Sequence, residues 1–382
     1  MKCKLSDICV FRKGKVDVSK LTLKTYISTE NMLPNKGGVT EASSLPTVQL
    51  TQEYKKGDIL VSNIRPYFKK IWQAKYDGGC SNDVLVFQGN SNIDGDFLYY
   101  ILANDDFFAY SMATSKGTKM PRGDKTSIMQ YEVPIFDIDT QRKIASVLRS
   151  LDEKIELNST INNNLEQQAQ AYFDELFVVN ADPNWSECTL SDIGSVVAGG
   201  TPSKSKPEYY ADQGIAWITP KDLSVNKSKF ISHGENDISE LGFSKSSAAK
   251  MPAGTILFSS RAPIGYIAIA QNEVTTNQGF KSVIPNENIG TAYLYFLLKN
   301  LLPTIEGMAS GSTFKEISGS TMKSVPTVMP DADTIQLFSS FCEPVFKEQE
   351  ILEAENQRLS ALRDSLLPKL MSGELDVSDI DL

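Results

Sequence analysis

Gly57-Asp58-Ile59-Leu60-Val61-Ser62 and Gly254-Thr255-Ile256-Leu257-Phe258-Ser259 follow one pattern in the two halves of the chain, a glycine turn feeding a short apolar strand. Other echoes keep the same order. Leu5-Ser6-Asp7-Ile8 returns as Leu190-Ser191-Asp192-Ile193, Gly117-Thr118-Lys119 as Gly311-Ser312-Thr313, and Val133-Pro134 as Val325-Pro326. Each copy gives way to a long helix-compatible stretch, so the chain reads as module, helix, module, helix, with two similar but unequal surfaces.

A chain of 382 residues exceeds one ordinary core, and the repeat divides it into two modules of conventional size. Hydrophobic content of 41% with 22% charged residues is that of a globular protein, and no apolar run reaches the length of a membrane span. Met1-Lys2-Cys3-Lys4-Leu5-Ser6-Asp7 lacks the apolar stretch of a signal peptide. Five scattered cysteines suit a reducing compartment, so the expected location is cytoplasmic. His233 is the one histidine and no cysteines are closely paired, which argues against a zinc site.

The net charge of −9 is unevenly spread: +4 over residues 1–136, −4 over 137–180, −1 over 181–330 and −8 over 331–382. The acid lies in the helical segments and the tail, while the modules are mildly basic or neutral. Such modules permit contact with nucleic acid but do not promise tight binding unaided.

Expected strands are Asp58–Ser62 and Asp83–Phe87 in the first module, and Thr255–Ser259 and Tyr266–Ala270 in the second, with one helix in each module, Phe97–Tyr110 and Ala292–Leu302. The fold class is α/β. In the helical segments a 3-4 spacing selects Ile144, Leu148, Leu151, Ile155, Leu165, Tyr172 and Leu176, and then Phe338, Phe341, Val345, Leu352, Leu359, Leu362 and Leu366. These seams favour helices packed side by side as a coiled coil. Asn158/Asn162 and Glu348/Glu355 interrupt them, either to set register or because they face solvent. The first helix is expected to start at Asp139-Thr140-Gln141, Pro368 to interrupt the last helix, and residues 374–382 to form an exposed acidic tail.

The strongest binding candidates are polar loops at matching places. Asn63 and Arg65, with Lys69 and Lys70 beyond them, correspond to Ser260 and Arg261. An arginine there suits a guanine edge or a phosphate, the alternative being an arginine that ties down its own loop. Asn82 corresponds to Asn277 and Gln278, which suit adenine or cap turns. Lys116, Lys119, Arg122 and Lys125 lie in a glycine-containing loop of phosphate-gripping composition, echoed by Ser312, Thr313 and Lys315. Thr201, Ser203 and Lys204 follow Gly199-Gly200, with Lys15 the nearest counterpart in the first module, and Lys221 stands in Pro220-Lys221-Asp222. Asp105 and Asp106 read as carboxylates that solvate an apolar helix.

The chain resembles the specificity (S) subunit of type I restriction–modification systems, the HsdS family. Trp217–Leu223, Ile256–Gly265 and Thr276–Lys281 resemble its target recognition domains, as do Tyr26–Asn31 and Gly57–Pro66. Pro134–Gln141, with Ile144 onward, is similar to its central conserved helical region, and Leu362–Leu375 to the distal one. The first module departs most, lacking the Gly-Gly-Thr-Pro-Ser start and the tryptophan of the second.

The resemblance implies target recognition domains over residues 1–136 and 181–330, and helical regions over 137–180 and 331–373 that pair antiparallel as a spacer. It further implies an asymmetric, bipartite double-stranded DNA target. Two methyltransferase subunits would dock on the helices and bring S-adenosylmethionine to a flipped adenine, and restriction subunits would use ATP and Mg2+. This chain itself would bind no cofactor and would not be an enzyme. It carries no Asn-Pro-Pro-aromatic motif, no glycine-rich S-adenosylmethionine loop and no phosphate loop of the Gly-x-x-x-x-Gly-Lys-Ser/Thr kind. The rival from another class is a coiled-coil scaffold that never reads DNA, which leaves the matched polar loops unexplained.

Overall fold

Apolar strands need a partner sheet edge, and the computed structural model, which describes residues 2–311 and 315–380, supplies the same solution twice. In the first module Cys9–Phe11, Val84–Gly89, Ile59–Ser62 and Ile71–Gln73 lie side by side, all antiparallel. In the second, Gly194–Ala198, Lys281–Pro285, Ile256–Ser260 and Ile264–Ala270 take the corresponding places, and Phe230–Ile231 adds a parallel edge. Ile59, Leu60 and Val61 are buried, as are Ile256, Leu257 and Phe258, which is why these runs read as continuous apolar strands. Gly57 and Gly254 both have positive φ (92° and 83°), and their amides donate to Ala74 and Ala270, so the same turn launches the central strand in both copies.

A second small sheet distinguishes the modules. Tyr26–Ile27 runs parallel to Gly78–Cys80, as Ile215–Ile218 runs parallel to Thr275–Thr276. The third strand then joins on opposite sides: Leu50–Tyr54 pairs with Gly78–Cys80, whereas Asn236–Ile238 pairs with Ile215–Ile218. Each module is closed by its own first and last strands, Lys2–Lys4 against Glu132–Pro134 and Ser186–Thr189 against Pro326–Met329. The echoed one-turn helices, Leu5–Ile8 and Leu190–Ile193, follow these strands, with Asp7 and Asp192 accepting the amides of Lys4 and Thr189 at 2.9 and 2.8 Å.

The expected single helix of each module is two. Gly95–Ala103 and Asp105–Ala113 are separated at Asn104, whose side chain accepts the Asp106 amide at 3.1 Å and starts a new helix. Thr291–Asn300 and Leu302–Met308 likewise follow each other. Asp105 does more than solvate: it accepts from Lys69 at 2.7 Å and pairs with Lys36 at 3.1 Å.

The two long helices are Ile138–Asp174, prolonged by a π-helical turn over Glu175–Val179, and Ala332–Ser372. Their caps correct the expected start. Asp137, not Asp139, accepts the amides of Asp139 and Thr140, and Asp331 repeats the arrangement with Thr334. Pro344 and Pro368 both lie inside the distal helix, so Pro368 does not interrupt it. An interior proline costs about 3 kcal/mol. Leu367, Leu370 and Met371, buried around Pro368, each contribute about 2 kcal/mol and outweigh that cost.

The chain forms two compact units, Met1–Ile155 with Arg358–Leu382, and Glu156–Gln357, so each unit contains one module and part of both helices. In the first, Ile144 and Leu148 pack with Leu367, Leu370 and Met371, and Arg363 donates to Asp152 at 2.7 Å. In the second, Ala169, Phe173 and Phe177 pack with Ile335, Phe338 and Cys342, and Asn158 donates to Glu355 and Asn356 at 2.7 and 3.0 Å. The helices are antiparallel within both units.

Several seam positions shift by one residue. Phe173 and Phe177 are buried where Tyr172 and Leu176 were expected, and Cys342 lies inside while Phe341 and Leu362 are exposed. Phe341 still meets the Tyr172 ring at 4.8 Å, at the margin. Asn158 is wholly buried, so it does not face solvent; Glu348 does, and Gln349 takes the inner place. Residues 374–382 are not simply an exposed tail either. Val377 is buried in the first unit's core, Ile380 packs against it, and Lys143 donates to the Ser378 carbonyl at 2.6 Å.

Candidate nucleic-acid interface

The loops that leave the strands at one end of each module are tied together by backbone hydrogen bonds. In the first module the Asn63 amide donates to Asp83 at 2.8 Å, the Arg65 amide to Pro121 at 2.8 Å, and the Gly123 amide to Asn63 at 3.1 Å. Lys116 and Arg122 exchange both backbone bonds at 2.9 Å, and the Arg122 guanidinium pairs with Asp83 at 3.1 Å. Three loops, residues 63–70, 81–83 and 115–125, therefore converge. Arg65, Asn82, Lys116, Lys119 and Arg122 are exposed there.

Other candidates are committed elsewhere. Asn63 is half-buried with its Oδ1 shut away from solvent. Lys69 is held by Asp105, and Lys70 donates to the Thr29 carbonyl at 2.6 Å. Lys116 pairs with Asp124 at 2.6 Å while staying exposed, and Lys125 approaches the Phe11 ring at 5.9 Å. Burial pushes the Asp105 carboxyl up, but Lys69 and Lys36 outweigh it and hold the group below its ordinary value. Lys15 stands apart, in the outer sheet opposite Gln52.

The second module gathers more loops. Trp217 Nε1 donates to the Gly200 carbonyl at 3.0 Å, the Gly200 amide to Thr276 at 2.9 Å, and the Asn277 amide to Ile218 at 3.0 Å. The Thr201 hydroxyl donates to the Gln278 side-chain oxygen. A side chain at Gly199 or Gly200 would sit 2.0 Å from the Asn277 carbonyl or 2.3 Å from the Ala248 amide, so only glycines let these backbones approach so closely. The Ser260 amide donates to Gly279 at 2.7 Å, and the Ile317 amide to Ser260 at 3.1 Å. Gln278, Ser203, Lys204 and Lys315 are exposed and Asn277 is half-buried.

Ser260 is fully buried and its hydroxyl donates to Gly279, so it braces the site from inside. Lys221 is exposed but donates to Glu235 at 2.5 Å. Arg261 is half-buried beside Glu316, 3.4 Å away, and the nearly buried Lys281 lies 3.8 Å from the same carboxylate. Burial lowers the Lys281 ammonium, with Glu316 pulling the other way. Ser312 and Thr313 lie outside the described residues.

The two arginines are not at equivalent positions. Asn63 and Ser260 make the same amide bond to the neighbouring loop, and each is followed by a single bridged residue, Ile64 against Arg122 and Arg261 against Glu316. Arg65 thus corresponds to Ala262, and both have a φ of 51° immediately before proline. The matching sequence words conceal a shift of one place, and the two surfaces offer different chemistry. Sequence reading also missed the exposed pair Tyr67 and Phe68; two aromatics beside Arg65-Pro66 were the available signal. Among the described residues no three histidine, cysteine, aspartate or glutamate side chains gather as metal ligands, and no helix is long and apolar enough to cross a membrane.

Comparison with known proteins agrees with this duplicated architecture. The family model described as "Type I restriction modification DNA specificity domain" matches residues 1–167 and 183–361. The HindI specificity subunit of Haemophilus influenzae is 27% identical, over 97% of this chain and 98% of that protein. The MjaIX specificity subunit of Methanocaldococcus jannaschii is 40% identical over 47% of this chain and 44% of its own length. The crystal structure of an S subunit from M. genitalium superimposes with a TM-score of 0.60, covering 97% of this chain and 96% of that one at 19% identity, a likeness of fold. With nearly the whole chain matched in two consecutive stretches, one per module, this protein belongs to the type I restriction–modification DNA specificity family.

Proposed function

We propose that this chain is the DNA specificity subunit of a type I restriction–modification complex, recognising a split, asymmetric duplex target and positioning the methyltransferase and restriction subunits. The observation that carries the reading is the same convergence of loops at corresponding ends of two modules, with unlike side chains exposed on each. Arg65, Asn82, Lys119 and Arg122 would serve one half-site, and Arg261, Gln278, Lys204 and Lys315 the other. Base edges supply the specificity in such an interface and phosphates the positioning. A scaffold that never reads DNA would have no use for paired polar loop clusters.

The chain does no chemistry of its own. S-adenosylmethionine belongs to two methyltransferase subunits docked on the helical regions, and ATP and Mg2+ to the restriction subunits. The helical regions, residues 137–180 and 331–373, act as the spacer that fixes the unread gap. The test is to map methylated adenines by single-molecule sequencing in a methylation-free host that expresses the chain with its partner methyltransferase. A split asymmetric motif that vanishes without this chain is the expected result. No motif, with a methyltransferase proved competent alongside another specificity subunit, would overturn the reading.

A further inference from the structure

Tyr67 and Phe68 are 49% and 37% exposed, with ring centres 4.7 Å apart, at the tip of the turn that follows Arg65. The tip is rigid. Arg65 and Lys69 flank it in the left-handed region, at φ 51° and 50°, and Pro66 is buried beneath it. The Phe68 and Lys69 carbonyls accept the amides of Asn35 and Lys36 at 2.8 and 2.9 Å, while the Lys69 and Lys36 ammoniums clamp Asp105 from either side. Lys70 donates to Thr29 and stands 5.7 Å from the Phe68 ring centre. Two aromatic rings are thus held out to solvent by a braced turn. Their surroundings are cationic: the exposed Arg65 precedes them, its amide ties the turn to Pro121 in the loop that carries the exposed Lys119, and the Asp105 carboxylate is neutralised by its two lysines. An apolar tip set among cations suits the floor of a DNA groove, where phosphates flank the base edges.

We infer that Tyr67 and Phe68 form an apolar reader of the first half-site, packing on the 5-methyl group of a thymine in the major groove beside the base or phosphate taken by Arg65. The inference rests on the specificity reading above and names the chemistry of one half-site. A wedge between base pairs is the geometric alternative, and the rings disfavour it. Their centres lie 4.7 Å apart at an interplanar angle of 53°, so they cannot enter an opened base step together as one flat layer. Against a groove floor the splayed ring faces offer a broad apolar area, which matches the thymine methyl, the apolar group of the major groove, while the Tyr67 hydroxyl can meet a neighbouring acceptor or water. The second module has Ile264 and Gly265 at the corresponding positions, so the device belongs to one half-site alone.

The test uses the chain assembled with its methyltransferase and duplexes carrying the mapped target, with deoxyuridine replacing each thymine in turn. Wild-type binding should weaken about fourfold at one first-half-site position, the effect of one buried methyl group. The Tyr67→Ala/Phe68→Ala complex should be indifferent to that replacement while still discriminating at the second half-site. Persistence of the methyl dependence in the double variant overturns the inference. So does its absence at every first-half-site thymine in the wild type, or loss of complex assembly in the variant, which would mark the patch as a protein contact. A wild-type complex that methylates no split motif overturns the specificity reading as well; a split motif without methyl dependence overturns only this inference.

Discussion

Lys229 Nζ lies 4.1 Å from the ring centre of Phe346, 4.7 Å from Tyr295 and 5.4 Å from Phe296, paired with Glu166 and donating to Gln349 at 2.6 Å. Glu353 accepts the amides of Lys229 and Phe230 at 2.9 and 3.2 Å. A helix carboxylate therefore caps the edge of the module while a module lysine enters the helix seam of the same unit. Removing one member strands the others, so Lys229→Ala should destabilise the second unit by about 3 kcal/mol, read by denaturant or thermal melting. Burial pushes Glu166 up, but Lys229 and Lys299 outweigh it and hold it below its ordinary 4.5. Its contribution is complete above that value and is lost as pH falls through the lowered folded value. Glu353 is raised by burial and has the opposite sign: its contribution is lost as pH rises through the raised value. Melting temperatures between about pH 3 and 6 should fall less steeply on acidification in Glu166→Gln than in the wild type. Parallel curves would remove Glu166 from the acid response. At the proposed binding surface, Arg261→Ala should cost the assembled complex roughly 5- to 150-fold in second-half-site discrimination, the range for a good arginine–base contact, and leave the first unchanged. Unaltered methylation across second-half-site variants would assign Arg261 to bracing Glu316 instead.

The long helices show how element-scale patterns drift. A strict 3.5-residue repeat slips by about 20° per heptad against a straight helix. The sequence seam therefore alternates between true and adjacent positions, which explains Phe173 for Tyr172, Cys342 for Phe341 and Gln349 for Glu348. Asn158 and Asn162 were on register and are bonded across the seam, to Glu355 and Asn356 and to Glu353. Fixed register makes helix length a variable that can be edited. Seven residues added to each helix, within Asn158–Asn164 and opposite it, add about 10 Å. If the helices set the gap, the methylated motif should gain about three base pairs between its halves, at roughly 3.4 Å per step. An unchanged gap in a folded complex would refute the spacer role.

At the scale of the molecule, charge determines what the chain can do alone. The net charge is −9, and residues 181–330 carry −1. Few phosphates can be neutralised by such surfaces, so the isolated chain should bind its target weakly and with a shallow salt dependence. Binding by the assembled complex should fall more steeply with salt, by about 0.9 in log–log slope for each additional phosphate contacted. Anisotropy titrations across a salt series check this; equal slopes would mean that this chain's own cations carry the electrostatic contact.

Local pattern alone determined the duplicated modules, the Gly57 and Gly254 turns, the central strands, the existence of both long helices and the family resemblance. These depend on period, turn chemistry and order, which are properties of consecutive residues. Tertiary structure decided what depends on a distant partner. It set Arg65 against Ala262, withdrew Ser260 into the interior and tied Lys69 to Asp105, 36 residues away. It also drew Val377 into a core begun by Leu5 and carried the distal helix through Pro368. Burial and ion pairing are set by what the fold brings alongside, and a linear reading cannot assign a side chain's neighbour when that neighbour is supplied by another element.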